Sequence, residues 1–447
     1  MYAKSEVGVP PPAGASQPQA DEKFETHEPA PTIDLLPADL LKSDHHEIGS
    51  EAVPDGWWYR YTVNSPFGVF EAKGEDMLRI RVHEVQALAK MEQEMSQPAA
   101  FGYGVLDTVM SPFKFLWGLM TDPRETLTGV PKGMKRVGSR ISEMVTGKRG
   151  KLEDGAGQEL AGFGGVKRTV AAAAGVNVYS SNTVLQDQLD RIAAAGYSGG
   201  VGSRIALIPV AGPLGLALST TSFSRAMNEM LLEHAPEDLR RINRETLERI
   251  GVRKEVRETF LTHPWYSPRH ETILVQALDE MKGVSDRSLV LQLAIKAESE
   301  EEALFVQRLV EMFASYHQTV VPIREFILID DRLLVGYTTD KALMVALPLS
   351  HIAWTQELAE ASKQVVTWSS DRHPVRRVEL WASGRITPRT HRELETKGVM
   401  IFEKKRDRLL PPVIPEPLSF AQQVDEGSSS ENEVTPVTEP AVNPIDK

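Results

Sequence analysis

The acidity of this chain sits in its ends, and that bounds what can fold. Residues 1–55 carry eleven acidic and three basic side chains, for a charge of -8. Residues 416–447 carry seven acidic and one basic, for -6. The whole chain of 447 residues has a net charge of -12, so the stretch between the ends is close to neutral. Both ends are also rich in proline, with Pro10-Pro11-Pro12 in one and Pro411-Pro412, Pro415 and Pro417 in the other. Such composition buries too little apolar surface to offset chain entropy. The expectation is a disordered acidic tail over 1–54, a second over 411–447, and a folded body between them. A near-neutral body argues against nucleic acid as a partner.

The body has an ordinary composition, 41% hydrophobic and 25% charged overall, which is enough for a sizeable core. It has no cysteine, so disulfides, thiolate metal sites and cysteine nucleophiles are excluded. The opening Met1-Tyr2-Ala3-Lys4 is no signal peptide as written. Two locations stay open: the cell envelope or periplasm if a leader lies upstream, and the cytoplasm otherwise.

The pattern then divides the body into four stretches. Within 55–98, Trp57–Val63 and Phe67–Val69-Phe70 read as an aromatic hairpin, followed by a helix carrying Leu78, Val82, Val85, Leu88 and Met91. Residues 99–180 read as a glycine-rich basic connector. Helical spacing dominates 181–320: Val184, Leu185, Leu189 and Ile192 form one stripe, and Pro236, Ser267-Pro268 and Ser299 with Glu302 mark three helix starts. After Pro322 the period changes. Phe326–Ile329, Leu333–Tyr337 and Leu343–Leu347 are three short strands joined by Asp330-Asp331 and by Thr339-Asp340-Lys341, an antiparallel meander. A helix near 355–367, a strand at 375–381, a helix opened by Thr387-Pro388 and a strand at 399–402 complete an α+β module over 321–410. The fold class is therefore α+β, with a helical middle region and a C-terminal mixed α/β module.

Local motifs for chemistry are absent. Gly162-Phe163-Gly164-Gly165 and Gly199-Gly200-Val201-Gly202 lack the lysine and strand–helix context of a phosphate loop, and read as flexible linkers with no cofactor implied. Asp44-His45-His46-Glu47 is dense in ligand types but lies in the expected tail. His83-Glu84 lacks a second histidine one turn away, and His263 and His270 flank a turn without an acidic partner, so no metal is expected. A Ser/His/Asp grouping for a hydrolase can be assembled from Asp371, His373 and Ser383 in the C-terminal module. Asp330, Asp331 and Asp340 occupy hairpin tips, which favour aspartate for conformation alone.

The sharpest functional signal is a membrane one. Phe113, Phe115 and Trp117 lie in an apolar run joined to a basic segment ending at Lys148, Arg149 and Lys151. Over 113–151 there are nine basic and three acidic residues. Apolar residues entering the headgroup region and lysines meeting anionic lipid are the marks of an interfacial segment. A charge-free run over 205–224 is too rich in proline and glycine for a spanning helix and suits a shallow or buried hairpin. The expected partner is thus an anionic lipid surface or another protein. A third reading is a soluble partner-binding module acting through exposed Trp57 and Trp58.

The stretch Gly175-Val176-Asn177-Val178-Tyr179-Ser180-Ser181-Asn182-Thr183-Val184-Leu185-Gln186, with Val130-Pro131-Lys132-Gly133 ahead of it, resembles a pattern in uncharacterised bacterial proteins. Those proteins often carry an export leader, and the likeness extends over most of residues 55–410. It implies an envelope location and attaches no activity or catalytic residue.

Overall fold

The computed structural model describes residues 24–25, 28–55, 57–95, 163–198, 227, 230–371 and 374–414. Among the described residues the chain is a mixed α/β protein with two five-stranded sheets, a two-stranded pair and a body of helices. The expectations placed on 96–162, including the run 113–151, and on 205–224 lie outside the described residues.

Folding begins well before residue 55. Strand β1 (Ala30–Pro31), helices α1 (Thr32–Leu35) and α2 (Ala38–Leu41), and strands β2 (Glu47–Ile48) and β3 (Glu51–Asp55) all precede the expected boundary. This corrects the tail expected over 1–54 from Ala30 onward, while 1–23 lie outside the described residues. Leu36, Leu40, Ile48 and Ala52 are buried, and the Thr32 hydroxyl donates to the Gly49 carbonyl at 2.8 Å. Elements of two to five residues have no measurable period, and the surrounding prolines and carboxylates hid them. Glu25 is fixed too. Its N–H donates to the Trp354 carbonyl at 2.8 Å, and its carboxylate accepts from the Trp354 N–H at 2.5 Å and the Thr387 hydroxyl at 2.7 Å. The N-terminal chain thereby docks on the C-terminal module.

Strands β4 (Trp58–Ser65) and β5 (Gly68–Lys73) form the expected hairpin. All neighbours in this first sheet are antiparallel, with β3 and β2 along one side of β4 and β5 along the other. Helix α3 (Glu75–Met95) follows, with Glu75 and Asp76 in its first turn, where carboxylates suit the helix dipole.

Helix α4 (Phe163–Ala173) overturns the flexible-linker reading of Phe163-Gly164-Gly165, which opens a helix instead. Val170, Ala171, Ala173 and Ala174 bury its inner face. Helix α5 (Thr183–Ser198) runs antiparallel to it. Lys167 on α4 reaches Asp190 on α5 at 2.6 Å. The first core unites this hairpin with α3 and the N-terminal sheet through Leu78, Val82, Val85, Leu185 and Leu189.

The helical middle comprises α6 (Pro236–Arg249), α7 (Lys254–Leu261), α8 (Pro268–Glu280), α9 (Ser288–Ala294) and α10 (Glu300–Thr319). The caps read from sequence are in place. Ser267 accepts from the His270 N–H at 3.3 Å, and Ser299 from the Glu302 N–H at 3.2 Å. The second sheet follows: β6 (Ile323–Ile329), β7 (Leu333–Thr338) and β8 (Ala342–Leu347) form the meander. Asp330 and Asp331 both have positive φ, 48° and 57°, as the central pair of a turn closed by the Arg332 N–H donating to the Ile329 carbonyl at 3.1 Å. The chain then passes through β9 (His351–Ile352) and α11 (Gln356–Asp371) to β10 (Arg377–Ala382), which pairs parallel with β8. From there β11 (Arg385–Ile386) and α12 (Pro388–Thr396) lead to β12 (Val399–Phe402), parallel to β10, and α13 (Arg406–Leu409) closes the module.

This second sheet is buried on both faces, which explains why its strands read as continuous apolar runs. Leu343, Val345, Leu380 and Ala382 face a third core with Leu358 of α11 and Leu394 of α12. Met344, Ala346 and Trp381 face the second core, shared with Phe313 of α10 and Leu274 of α8. The helical middle and the C-terminal module therefore share a core across residue 320. The second tail is also corrected at its start: the Pro411 carbonyl accepts from Arg308 at 2.8 Å, and Val413 packs on the first core.

Candidate functional site

A cleft open to solvent, with a cavity volume of about 40 Å³, lies where the first core meets the helical middle. Its floor comes from α3, with Met77, Ile80, Arg81, His83 and Glu84 on one side of the helix. The loop before α5 adds Val176, Asn177 and Ser180, the first turn of α8 adds Arg269 and His270, and α10 adds Glu300, Leu304 and Gln307. Val413 and Ile414 cross it from the C-terminal side.

The carboxylate of Glu84 organises this wall. It accepts from Arg81 at 2.8 Å and from the Asn182 amide at 3.0 Å, and the Ser180 hydroxyl also donates to it. Glu84 is 1% exposed, so these three donors stand in for water. Arg81 further donates to Ser181 at 2.6 Å and lies 3.7 Å from Glu300, to which the Ser181 hydroxyl also donates. Burial works against the Arg81 charge, but Glu84 and Glu300 outweigh it and raise its pKa. Asn182 does double duty, because its side-chain oxygen caps α5 by accepting from the Val184 N–H at 3.1 Å.

His83 bonds the Gly175 carbonyl at 2.9 Å through Nε2, and burial lowers its pKa, so it is neutral near pH 7. Arg269 is half-buried in the wall. Burial pulls its pKa down to about 10, with the charge of Glu311 acting in the opposite direction. Gln307 is 4% exposed, and its Oε1 has no hydrogen-bond partner among the described residues.

A second buried charge cluster lies beside the cleft. Asp76 accepts from Arg406 at 2.5 Å and from Arg308 at 3.3 Å, and Arg308 also donates to Glu311 at 2.7 Å. It joins α3, α10 and α13.

The residues singled out from sequence distribute as follows. Phe113, Phe115, Trp117, Lys148, Arg149 and Lys151 lie outside the described residues, as does His373. Ser383 is 3% exposed and its hydroxyl donates to the Leu349 carbonyl at 3.0 Å, a bond that locks the end of β10. A hydrolase built on that serine gets no free hydroxyl from this geometry. Trp57 and Trp58 both pack against the third core. Trp58 meets Phe305 edge-on with centroids 5.8 Å apart, and Lys73 lies 4.9 Å above its ring. The exposed-indole premise of the partner-binding reading is therefore corrected.

His46 is folded rather than in a tail. It is buried, and its ring bonds the Leu40 carbonyl at 3.0 Å and Ser43 at 2.7 Å. His263 packs on Tyr266, 5.3 Å between centroids, whereas His270 joins the cleft. Among the described residues no group of three or more His, Asp and Glu is arranged to hold a metal ion. No helix among them is long and apolar enough to cross a membrane.

Sequence reasoning missed the cleft, with one partial exception. The stretch Gly175–Gln186, noted for its resemblance to uncharacterised bacterial proteins, supplies Val176, Asn177 and Ser180 to the wall. A further signal lay in α3, where Arg81 and Glu84 interrupt the apolar stripe of Leu78, Val82 and Val85. Fold and site together define a mixed α/β protein with a polar cleft between two of its cores. In comparison with known proteins, no family model, no curated protein and no solved structure matches the chain.

Proposed function

We propose that this chain is a non-enzymatic binding or scaffolding protein that works at a membrane or cell-envelope surface. The observation carrying this reading is the composition of 113–151, where Phe113, Phe115 and Trp117 are joined to a run with nine basic and three acidic residues.

The net basic charge of 113–151 suits anionic headgroups, at about 1 kcal/mol per cation near the surface. The scaffolding half of the reading is supported by the cleft wall, whose carboxylates Glu84 and Glu300 are held by donors of the chain itself.

The test is co-sedimentation of the full-length chain with anionic and neutral liposomes across a salt series. Binding to anionic vesicles alone, weakened by salt and by replacing Lys148, Arg149 and Lys151 with glutamine, is the expected result. No binding to anionic vesicles at low salt refutes the surface role.

A further inference from the structure

Phe24 and Glu25 occupy a built site on the C-terminal module. Strands β9 and β11 run parallel as a two-stranded pair, and each leads into a helix, β9 into α11 and β11 into α12. Trp354 stands two residues before α11, and Thr387 caps α12 by accepting from the Thr390 N–H at 3.1 Å. One oxygen of Glu25, 329 residues away from Trp354 in sequence, meets both helix starts. Its Oε2 accepts from the Trp354 N–H at 2.5 Å and from the Thr387 hydroxyl at 2.7 Å, with the Thr390 hydroxyl at 3.5 Å. Helix starts carry partial positive charge and free N–H groups, so the seated carboxylate shows what this place accepts.

Two further contacts describe the rest of the occupant. The Glu25 N–H donates to the Trp354 carbonyl at 2.8 Å, so Trp354 engages a peptide main chain through its own carbonyl while its N–H holds the side chain. Phe24 is half-buried against the third core, to which α11 and α12 contribute Leu358 and Leu394. Charge is complementary as well. Residues 385–397 carry four basic and two acidic side chains, whereas residues 20–28 carry four acidic and one basic. The site thus takes an aromatic ring, a main-chain donor and a carboxylate from two consecutive residues of an acidic segment.

We propose that Trp354, Thr387 and Thr390 form a docking site for a linear acidic peptide of a partner protein, one presenting an aromatic residue followed by glutamate, and that Phe24–Glu25 fills this site in cis. A partner peptide binds by displacing Phe24–Glu25. Tethering gives such a segment an effective concentration of about 1 mM, so a peptide with a Kd of about 0.1 mM for the open site is weakened about tenfold in the intact chain. The proposal goes beyond the membrane reading and does not rest on it: failure of the liposome test leaves it standing, and the reverse holds.

The test is fluorescence anisotropy with a labelled peptide copying residues 20–28, titrated with the full-length chain and with its Phe24→Ala, Glu25→Gln double variant, which opens the site. The double variant is expected to bind saturably, and the parent about tenfold more weakly. Peptides carrying Phe24→Ala or Glu25→Gln are expected to bind the double variant at least about tenfold more weakly than the copy. Thr387→Asp added to the double variant keeps a capping oxygen for α12 and sets a carboxylate against that of the peptide, so binding is lost. Circular dichroism of each variant establishes that it is folded. Absence of saturable binding to the folded double variant overturns the site, as does binding that survives Thr387→Asp. Equal affinity of the parent and the double variant overturns the occupation in cis. Free glutamate competing as well as the unlabelled peptide would overturn the peptide assignment.

Discussion

Replacing Glu271 with glutamine isolates one buried ionisation and measures it against pH. Glu271 lies on α8, 1% exposed, and its Oε2 has no hydrogen-bond partner among the described residues. Burial raises its pKa from 4.5 to about 8, against the opposing pull of Arg240 and Arg244. The folded chain therefore holds this proton where the unfolded chain has released it. Below about pH 4.5 both states are protonated and the group costs nothing. Between 4.5 and 8 the unfolded state is favoured progressively, and above 8 the full cost is present. A window of about 3.5 pH units at 1.36 kcal/mol each sets a ceiling of about 5 kcal/mol.

Glu271→Gln removes this dependence and keeps the shape of the side chain. Its buried amide adds a roughly pH-independent cost of about 1 kcal/mol. The expected result is a variant no more stable than the parent at pH 4.5 and about 3 to 4 kcal/mol more stable at pH 8.5. Guanidinium unfolding of both chains at half-unit steps of pH measures this difference, and subtraction cancels every other titrating group. A stability difference that stays flat across the window would show that Glu271 ionises in the folded chain, and the reasoning from its burial would fail.

Two further perturbations test the joints of the fold. Asp76→Asn leaves Arg308 and Arg406 buried without their shared carboxylate, at an expected cost of about 3 to 5 kcal/mol by chemical denaturation. Those arginines lower the Asp76 pKa against the effect of burial, so in the parent this contribution is complete above the ordinary carboxylate range and is lost as pH falls through the depressed value. A loss under 1 kcal/mol would refute the cluster as a joint. Gly384→Ala is expected to cost about 3 kcal/mol or more, because any Cβ would lie 2.0 Å from the Ser350 carbonyl oxygen. An unchanged melting temperature would show that this backbone contact yields easily.

How far the fold was legible follows from how local its instructions are. Ser267, Ser299 and Thr387 announce helices because a cap acts within three residues, and all three hydroxyls accept the expected N–H bonds. The meander was legible through Asp330-Asp331, since few non-glycine pairs tolerate two left-handed conformations in succession. Its parallel partners were not. The pairing of β10 with β8 and of β12 with β10 depends on crossovers, and no residue in Val378–Ala382 encodes its neighbour. The segment 28–54 was read as a tail because its order is supplied from outside. Leu36 and Leu40 are buried in the first core, which also takes side chains from α3, α4 and α5.

The cleft follows the same logic at longer range. Its polar members are spread from Arg81 to Gln307 over four separate stretches, so no window of the chain contains it. What the chain does show locally is polar residues on stripes that ought to be apolar: Arg81 and Glu84 on α3, and Gln307, Arg308 and Glu311 on α10. Apolar contact has no direction, and three cores packed by it alone would tolerate several mutual orientations. Charged hydrogen bonds do have direction. Arg81 ties α3 to the loop before α5 and to α10, and Asp76 ties α3 to α10 and α13. Because α3 carries both knots, one helix sets the orientation of the cleft wall relative to the second sheet. That arrangement explains why its first three turns hold five charged side chains, Glu75, Asp76, Arg79, Arg81 and Glu84, where a helix that served packing alone would hold leucine.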